Sequence, residues 1–238
     1  MATILLGSTS SFFFGNDWLT LLGGFGVKEF HASDFHRRQG EFLRWNRDRC
    51  SELQRAIIGL FLKWQIKHSC VLVEHSGYRR SFVDTGFHKT LRPAVRKWKK
   101  PYFQAFQHTV SNLREYADHQ PRGVYITPVF DDCQEFMGHA RADYARKNKD
   151  GKLGQMQVST TGVYIQLQAA DFLAWEYRVD AERCITTLER NPGPVLEALR
   201  EHMFGAKVWS FEFLDYLRRR VEAVVAGVDP ESISFFDS

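Results

Sequence analysis

The segment Leu167–Glu176, LQAADFLAWE, constrains the fold more than any other stretch of the chain. At about 100° per residue, Gln168, Asp171 and Trp175 share one side of a helix, with Leu167 and Ala174 flanking Asp171. Ala169, Phe172 and Leu173 are apolar too, so scarcely any face is left for water and the helix must be buried. Its alanines would let it approach a sheet closely. A carboxylate buried with such a helix is costly unless it is paired, hydrogen-bonded or metal-bound. The plainer account is an acid that complements the positive N-terminal end of the helix, with Gln168 as its cap. Spacing alone leaves both accounts open.

Around this segment, short strand candidates alternate with amphipathic helices. Residues 3–6 (TILL) predict a strand, and STSSFFFGNDWLTLL a helix with Ser or Thr as its N-cap and Gly23, Gly24 and Gly26 as stop signals. The stretch VKEFHASDFHRRQGEF has weak periodicity and reads as irregular. Leu53, Ile57, Leu60, Phe61 and Trp64 recur at steps of three and four, which predicts a helix over about 48–67, followed by the strand SCVLVEH. Pro101 stands where helices begin, and Phe103, Phe106, Val110, Leu113 and Ala117 mark one face of a helix to about His119. GVYITPVF predicts a strand ending at Asp131 and Asp132, interrupted by Pro128. Phe136, Ala140 and Tyr144 mark the next helix, QMQVST a short strand, and Phe211, Leu214, Leu217, Val221 and Val224 a last helix. The Phe12-Phe13-Phe14 run and EFLRWNR read as packing. Strands separated by helices indicate an α/β or α+β domain with helices covering a sheet.

A chain of 238 residues suits one domain with a sizeable core. The core is expected over about 3–178, with a C-terminal helical extension over about 192–226. No apolar run reaches the ~18 residues of a membrane span, so no membrane partner is expected. MATILLGSTSSFFFG lacks the basic start of a signal peptide. Cys50, Cys70, Cys133 and Cys184 are scattered and form no zinc-type pair, as in the reduced thiols of a cytoplasmic protein. The net charge of +4 is mild, but Arg92, Arg96, Lys97, Lys99 and Lys100 crowd together around Trp98, ahead of Tyr102 and Phe103. Cations interleaved with rings suit a DNA or RNA backbone, and equally suit a solvated loop before a helix.

Two further clusters carry possible chemistry. Asp131 and Asp132 follow a strand and precede a helix, where carboxylates can share magnesium or manganese, although aspartates there are also ordinary turn and cap residues. His31, Asp34 and His36 form an H-x-x-D-x-H pattern that could be a zinc-type metal cluster serving a small-molecule metallohydrolase, or simply a polar loop. There is no P-loop, dinucleotide fingerprint, G-x-S-x-G elbow or kinase signature.

Taken together, GVKEFHASDFHRRQGEFLRW (26–45), YFQAFQH (102–108), VFDDCQEF (129–136) and LQAADFLAWE resemble the bacterial domain-of-unknown-function family numbered 3800. The resemblance covers about Ile4 to Arg178 and is weakest after Pro192. It implies a ribonuclease H-like mixed sheet flanked by helices, and a metal-dependent nuclease using magnesium or manganese. Asp131 and Asp171 would be its second and third acids, and Gln168 the family's glutamine, orienting a ligand or substrate phosphate. Arg92, Arg96, Lys97, Lys99 and Lys100 would hold the nucleic acid backbone. The family's Asp-Glu-Ser first strand has no counterpart here: TILLGSTSSFFFGNDWLTLL fills the places of the second strand and first helix. The expectation is that coding sequence upstream of Met1 supplies that strand. If the site is incomplete, the chain would instead be a non-catalytic nucleic-acid-binding or interaction module linked to mobile elements or phage defence.

Overall fold

In a computed structural model, which describes residues 1–86, 100–121, 123–132, 137–187, 192–209, 211–227 and 229, the chain forms a mixed α/β fold. Strand β1 (Ala2–Leu5) pairs antiparallel with β2 (Lys67–Val73), which pairs in parallel with β5 (Met203–Trp209). A separate pair, β3 (Val129–Asp131) and β4 (Gln157–Ser159), is parallel. Among the described residues the strand orders are therefore β1-β2-β5 and β3-β4.

The two-residue alternation of β1 places its side chains in two different cores. Ala2, Ile4 and Leu6 pack against an aromatic cluster that holds Phe14, Trp18, Phe30, Phe61 and Phe172, while Met1 and Leu5 pack against Phe103, Phe106, Val110 and Tyr144. Helices α1 (Ser8–Gly24), α3 (Arg47–Lys63) and α7 (Gln166–Thr187) build the first core, and α5 (Pro101–Asp118) and α6 (Met137–Lys147) the second. The three-strand sheet thus has helices on both faces, as its apolar strands require.

The expected helices form with small shifts at their ends. Asn46 caps α3 by accepting the Arg49 N–H at 2.9 Å. Helix α4 (His75–Tyr78) is a single turn after β2, and Pro101 opens α5, where its missing N–H removes a donor that would have no helical partner. Four expectations need correction. Helix α1 is preceded by Gly7, not by a Ser or Thr cap, and makes no side-chain cap bond. The supposedly irregular stretch contains α2 (Ala32–Arg37), closed by Arg38 in the left-handed region, and a 3-10 turn at Gly40–Phe42. Of the phenylalanine run only Phe14 is buried, with Phe12 and Phe13 66% and 50% exposed. Finally, the C-terminal part is no helical extension: α8 (Pro194–Ala198) leads into β5, a strand of the main sheet, before α9 (Phe211–Val225).

Among the described residues no helix is long and apolar enough to cross a membrane. Cys50, Cys70 and Cys184 are free thiols, and burial pushes Cys70 up to about 11. Cys133 lies outside the described residues.

Candidate metal centre on a cavity wall

Helix α7 divides the two residues that the sequence set three apart. A separation of three residues is about 60° around a helix, enough to put them on either side of a boundary. Gln168 is 1% exposed and faces the aromatic core. Its carbonyl oxygen accepts the Trp18 Nε1–H at 3.1 Å and the Phe30 backbone N–H at 3.0 Å, and its amide nitrogen donates to the Thr161 carbonyl at 3.3 Å. The expectation that Gln168 orients a ligand or phosphate therefore needs revision: its acceptor is occupied, and it clamps α1, the 27–31 segment and the 160s turn onto α7.

Asp171 faces a different way. One carboxylate oxygen accepts the Ala32 N–H at 2.9 Å, and among the described residues no Lys or Arg forms an ion pair with it. Burial pushes its carboxyl above the ordinary carboxylate value; the Ala32 N–H and the nearby His31 and His36 oppose this, and the charge of Asp131 adds to it. Asp131, far from Asp171 in sequence, is near enough in the fold for its charge to be felt there. Asp131 stands exposed at the end of β3.

Both carboxylates line one cavity of about 1100 Å³. Its walls include β1, residues Ile126–Asp131, the α7 residues Leu167, Ala170 and Ala174, and His31, Ser33, Lys67, Thr161 and Tyr164. Tyr102, Tyr116 and Tyr125 also line it, and Tyr125 is 74% exposed. Apart from His31 and Tyr102, sequence reasoning singled out none of these polar and aromatic wall residues, because each comes from a distant segment with no local motif. The loop carrying His31 is fixed from outside: Glu29 accepts the Thr161 hydroxyl at 3.0 Å.

The H-x-x-D-x-H residues do not converge. His31 is exposed on the cavity rim, Asp34 packs over Gly40, and His36 stacks on Trp175 at 5.2 Å with its Nε2 3.1 Å from Glu176 Oε1. Positions 34 and 36 lie about 200° apart on a helix, so α2 points them in opposite directions. Gly40 has φ +53, and a Cβ there would meet Asp34 Oδ2 at 3.1 Å, which accounts for glycine at that turn. The zinc-type cluster is thus not formed.

Arg92, Arg96, Lys97 and Lys99 lie outside the described residues. Lys100 immediately precedes α5, whose Tyr102 lines the cavity.

Among the described residues no group of three or more His, Cys, Asp or Glu side chains is arranged to hold a metal ion. Two carboxylates on one wall still suit magnesium or manganese, because magnesium is commonly held by one or two carboxylates with waters and substrate phosphates completing its shell. Asp171, which among the described residues has only one oxygen hydrogen-bonded and no Lys or Arg ion pair, has the donor chemistry for that role. No protein-family model, curated protein or solved structure matches the chain.

Proposed function

We propose that the chain is a metal-dependent phosphodiester hydrolase, a nuclease of ribonuclease H type, with Asp131 and Asp171 holding magnesium or manganese. The observation that carries this reading is a partly buried carboxylate with no Lys or Arg ion pair among the described residues, lining the same cavity as a second carboxylate. The ribonuclease H comparison draws its support from a mixed sheet with helices on both faces, one acid at a strand end and another on a late helix.

A divalent ion bound there would polarise a phosphoryl oxygen and supply a metal-activated water. The chain's own residues would do the rest. Ala32 N–H fixes one oxygen of Asp171, and the other would be available to a ligand. The exposed ring of Tyr125 and that of Tyr102 offer stacking faces to unpaired bases. Arg92, Arg96, Lys97, Lys99 and Lys100 would follow the phosphate backbone.

The second reading, a non-catalytic nucleic-acid-binding module, is favoured by the lack of a third converging acid among the described residues. Incubation with labelled single-stranded and duplex DNA and RNA, in magnesium or manganese, separates the two. Nuclease action predicts metal-dependent cleavage that Asp171→Ala and Asp131→Ala abolish. Salt-sensitive binding without cleavage, lost when Arg96, Lys97, Lys99 and Lys100 are neutralised, would establish the binding module instead.

A further inference from the structure

Residues 30–37 lie along α7 in step with its turns. Gln168 accepts the Phe30 N–H at 3.0 Å, Asp171 accepts the Ala32 N–H at 2.9 Å, and Trp175 carries the His36 ring. Helix α2, within that segment, has little to hold it by itself. Six residues are too few for a helix to be stable in water, so its position is set by what it packs on. Phe35 anchors the middle: it is buried, with the rings of Phe30 and Phe42 at 5.4 and 5.3 Å. The two ends are held by carboxylates of α7, Asp171 at Ala32 and Glu176 at His36, whose Nε2 lies 3.1 Å from Glu176 Oε1.

Each member of the second contact depends on the other. His36 Nε2 is buried with no hydrogen-bond partner elsewhere among the described residues, and Glu176, also buried, is otherwise left with the Gln54 amide of α3 at 2.8 Å. A carboxylate and a ring nitrogen are both costly to bury unpaired. Stacking fixes the ring further: it lies 19° from the plane of Trp175, and the guanidinium groups of Arg37 and Arg178 lie over the same indole at 5.7 and 4.8 Å. Neither His36 nor Glu176 lines the cavity, but the other end of α2 does, through His31 and Ser33 on either side of Ala32. That end is only about 6 Å away along the helix axis. With the His36 end freed, one backbone hydrogen bond and one phenylalanine ring would be left to place it.

We propose that Glu176 and His36 are positioning residues for Asp171. The pair pins α2 to α7 and so holds the Ala32 N–H on the Asp171 carboxylate, which fixes that carboxylate on the cavity wall. The consequence for a metal ion rests on the reading of Asp131 and Asp171 as its ligands, whereas the pinning of α2 does not. Groups that orient a ligand from behind typically set metal affinity by tenfold or more, without touching the ion.

The test uses the full-length protein with His36→Ala, which removes the contact, and His36→Gln, which keeps a side-chain N–H for Glu176. Backbone hydrogen exchange without metal is read at Ala32 and at Phe35, whose N–H donates to the His31 carbonyl at 3.0 Å. Ile66, whose N–H donates to the Phe61 carbonyl at 3.0 Å, is the reference for the rest of the fold. In His36→Ala, exchange at Ala32 and Phe35 is expected to speed up about tenfold or more with Ile66 unchanged, and the Kd for manganese to rise about tenfold. His36→Gln is expected to restore both. The proposal is overturned if Ala32 exchanges no faster in His36→Ala, if Ile66 speeds up equally, if His36→Gln behaves as His36→Ala does, or if manganese affinity is undiminished while Ala32 exchanges fast. A wild type that binds no manganese contradicts the metal reading instead, and the exchange results then uphold or overturn the pinning of α2 by themselves.

Discussion

Asp143 and Asp171 are both carboxylates within the body of the protein, and they are satisfied in opposite ways. Asp143 has no exposed side-chain surface and is surrounded by donors: Arg146 pairs with it, Gln107 Nε2 donates to it at 3.1 Å, and Lys147 Nζ lies 3.9 Å away. Lys147 also donates to the Gln107 carbonyl at 2.7 Å and lies 3.2 Å from the Ser111 hydroxyl, so the cluster ties α6 to α5. Asp171 accepts one backbone N–H and, among the described residues, has no Lys or Arg ion pair, only His31, His36 and a second carboxylate within range of its charge. A buried carboxylate compensated by fixed cations is structural, whereas one that folding leaves uncompensated has capacity for a ligand.

The contrast can be broken in order of effect. Asp143→Ala is expected to destabilise the fold by about 3 kcal/mol, because it strands the groups that now donate to it, and denaturant unfolding would show it. Gln168→Ala deprives the buried Trp18 and Phe30 donors of their acceptor and is expected to cost about 2–4 kcal/mol in the same measurement, whether or not metal is present. A merely ligand-orienting glutamine would leave unfolding unchanged.

Asp171→Asn should act in the opposite direction. A carboxyl whose folded pKa is raised favours the folded state fully below its unfolded value of about 3.9, and that contribution is lost as pH rises through the folded value. At neutral pH the variant is therefore expected to melt higher than the wild type, and the gap should close as pH falls through and below the carboxylate range. Tm measured from acid to neutral pH checks this, and a variant less stable at neutral pH would show that Asp171 is a structural acid like Asp143. The smallest stability effect belongs to Tyr125→Ala: within about 0.5 kcal/mol of wild type, since the ring is 74% exposed, but with weaker binding of single-stranded DNA or RNA in a fluorescence titration.

The periodic helices were legible in the sequence because each carries its own repeat: α3 by Leu53, Ile57, Leu60 and Phe61, and α5 by Phe103, Phe106, Val110 and Leu113, all buried. Strand β5, MFGAKVW, was not, because Gly205 and Lys207 break its pattern and its partner β2 is distant in sequence. Helix α2 escaped for a different reason: it is too short for a period to show, and its ending depends on Arg38 at φ 53. For the site, the sequence placed Gln168 and Asp171 on one side of a helix, but spacing cannot say that 60° separates a packed core from a cavity. Nor could it place Asp131 and Asp171 on one cavity, an arrangement made by β3 and α7 and suggested beforehand only through family resemblance.

The central claim is that Asp131 and Asp171 hold one divalent ion at the cavity wall, and manganese binding measures it directly. Titration of the full-length protein followed by electron paramagnetic resonance is expected to show one bound ion, lost in both Asp131→Asn and Asp171→Asn and unchanged in Asp34→Asn. Undiminished binding in either of the first two variants, or no binding by the wild type, would contradict the account.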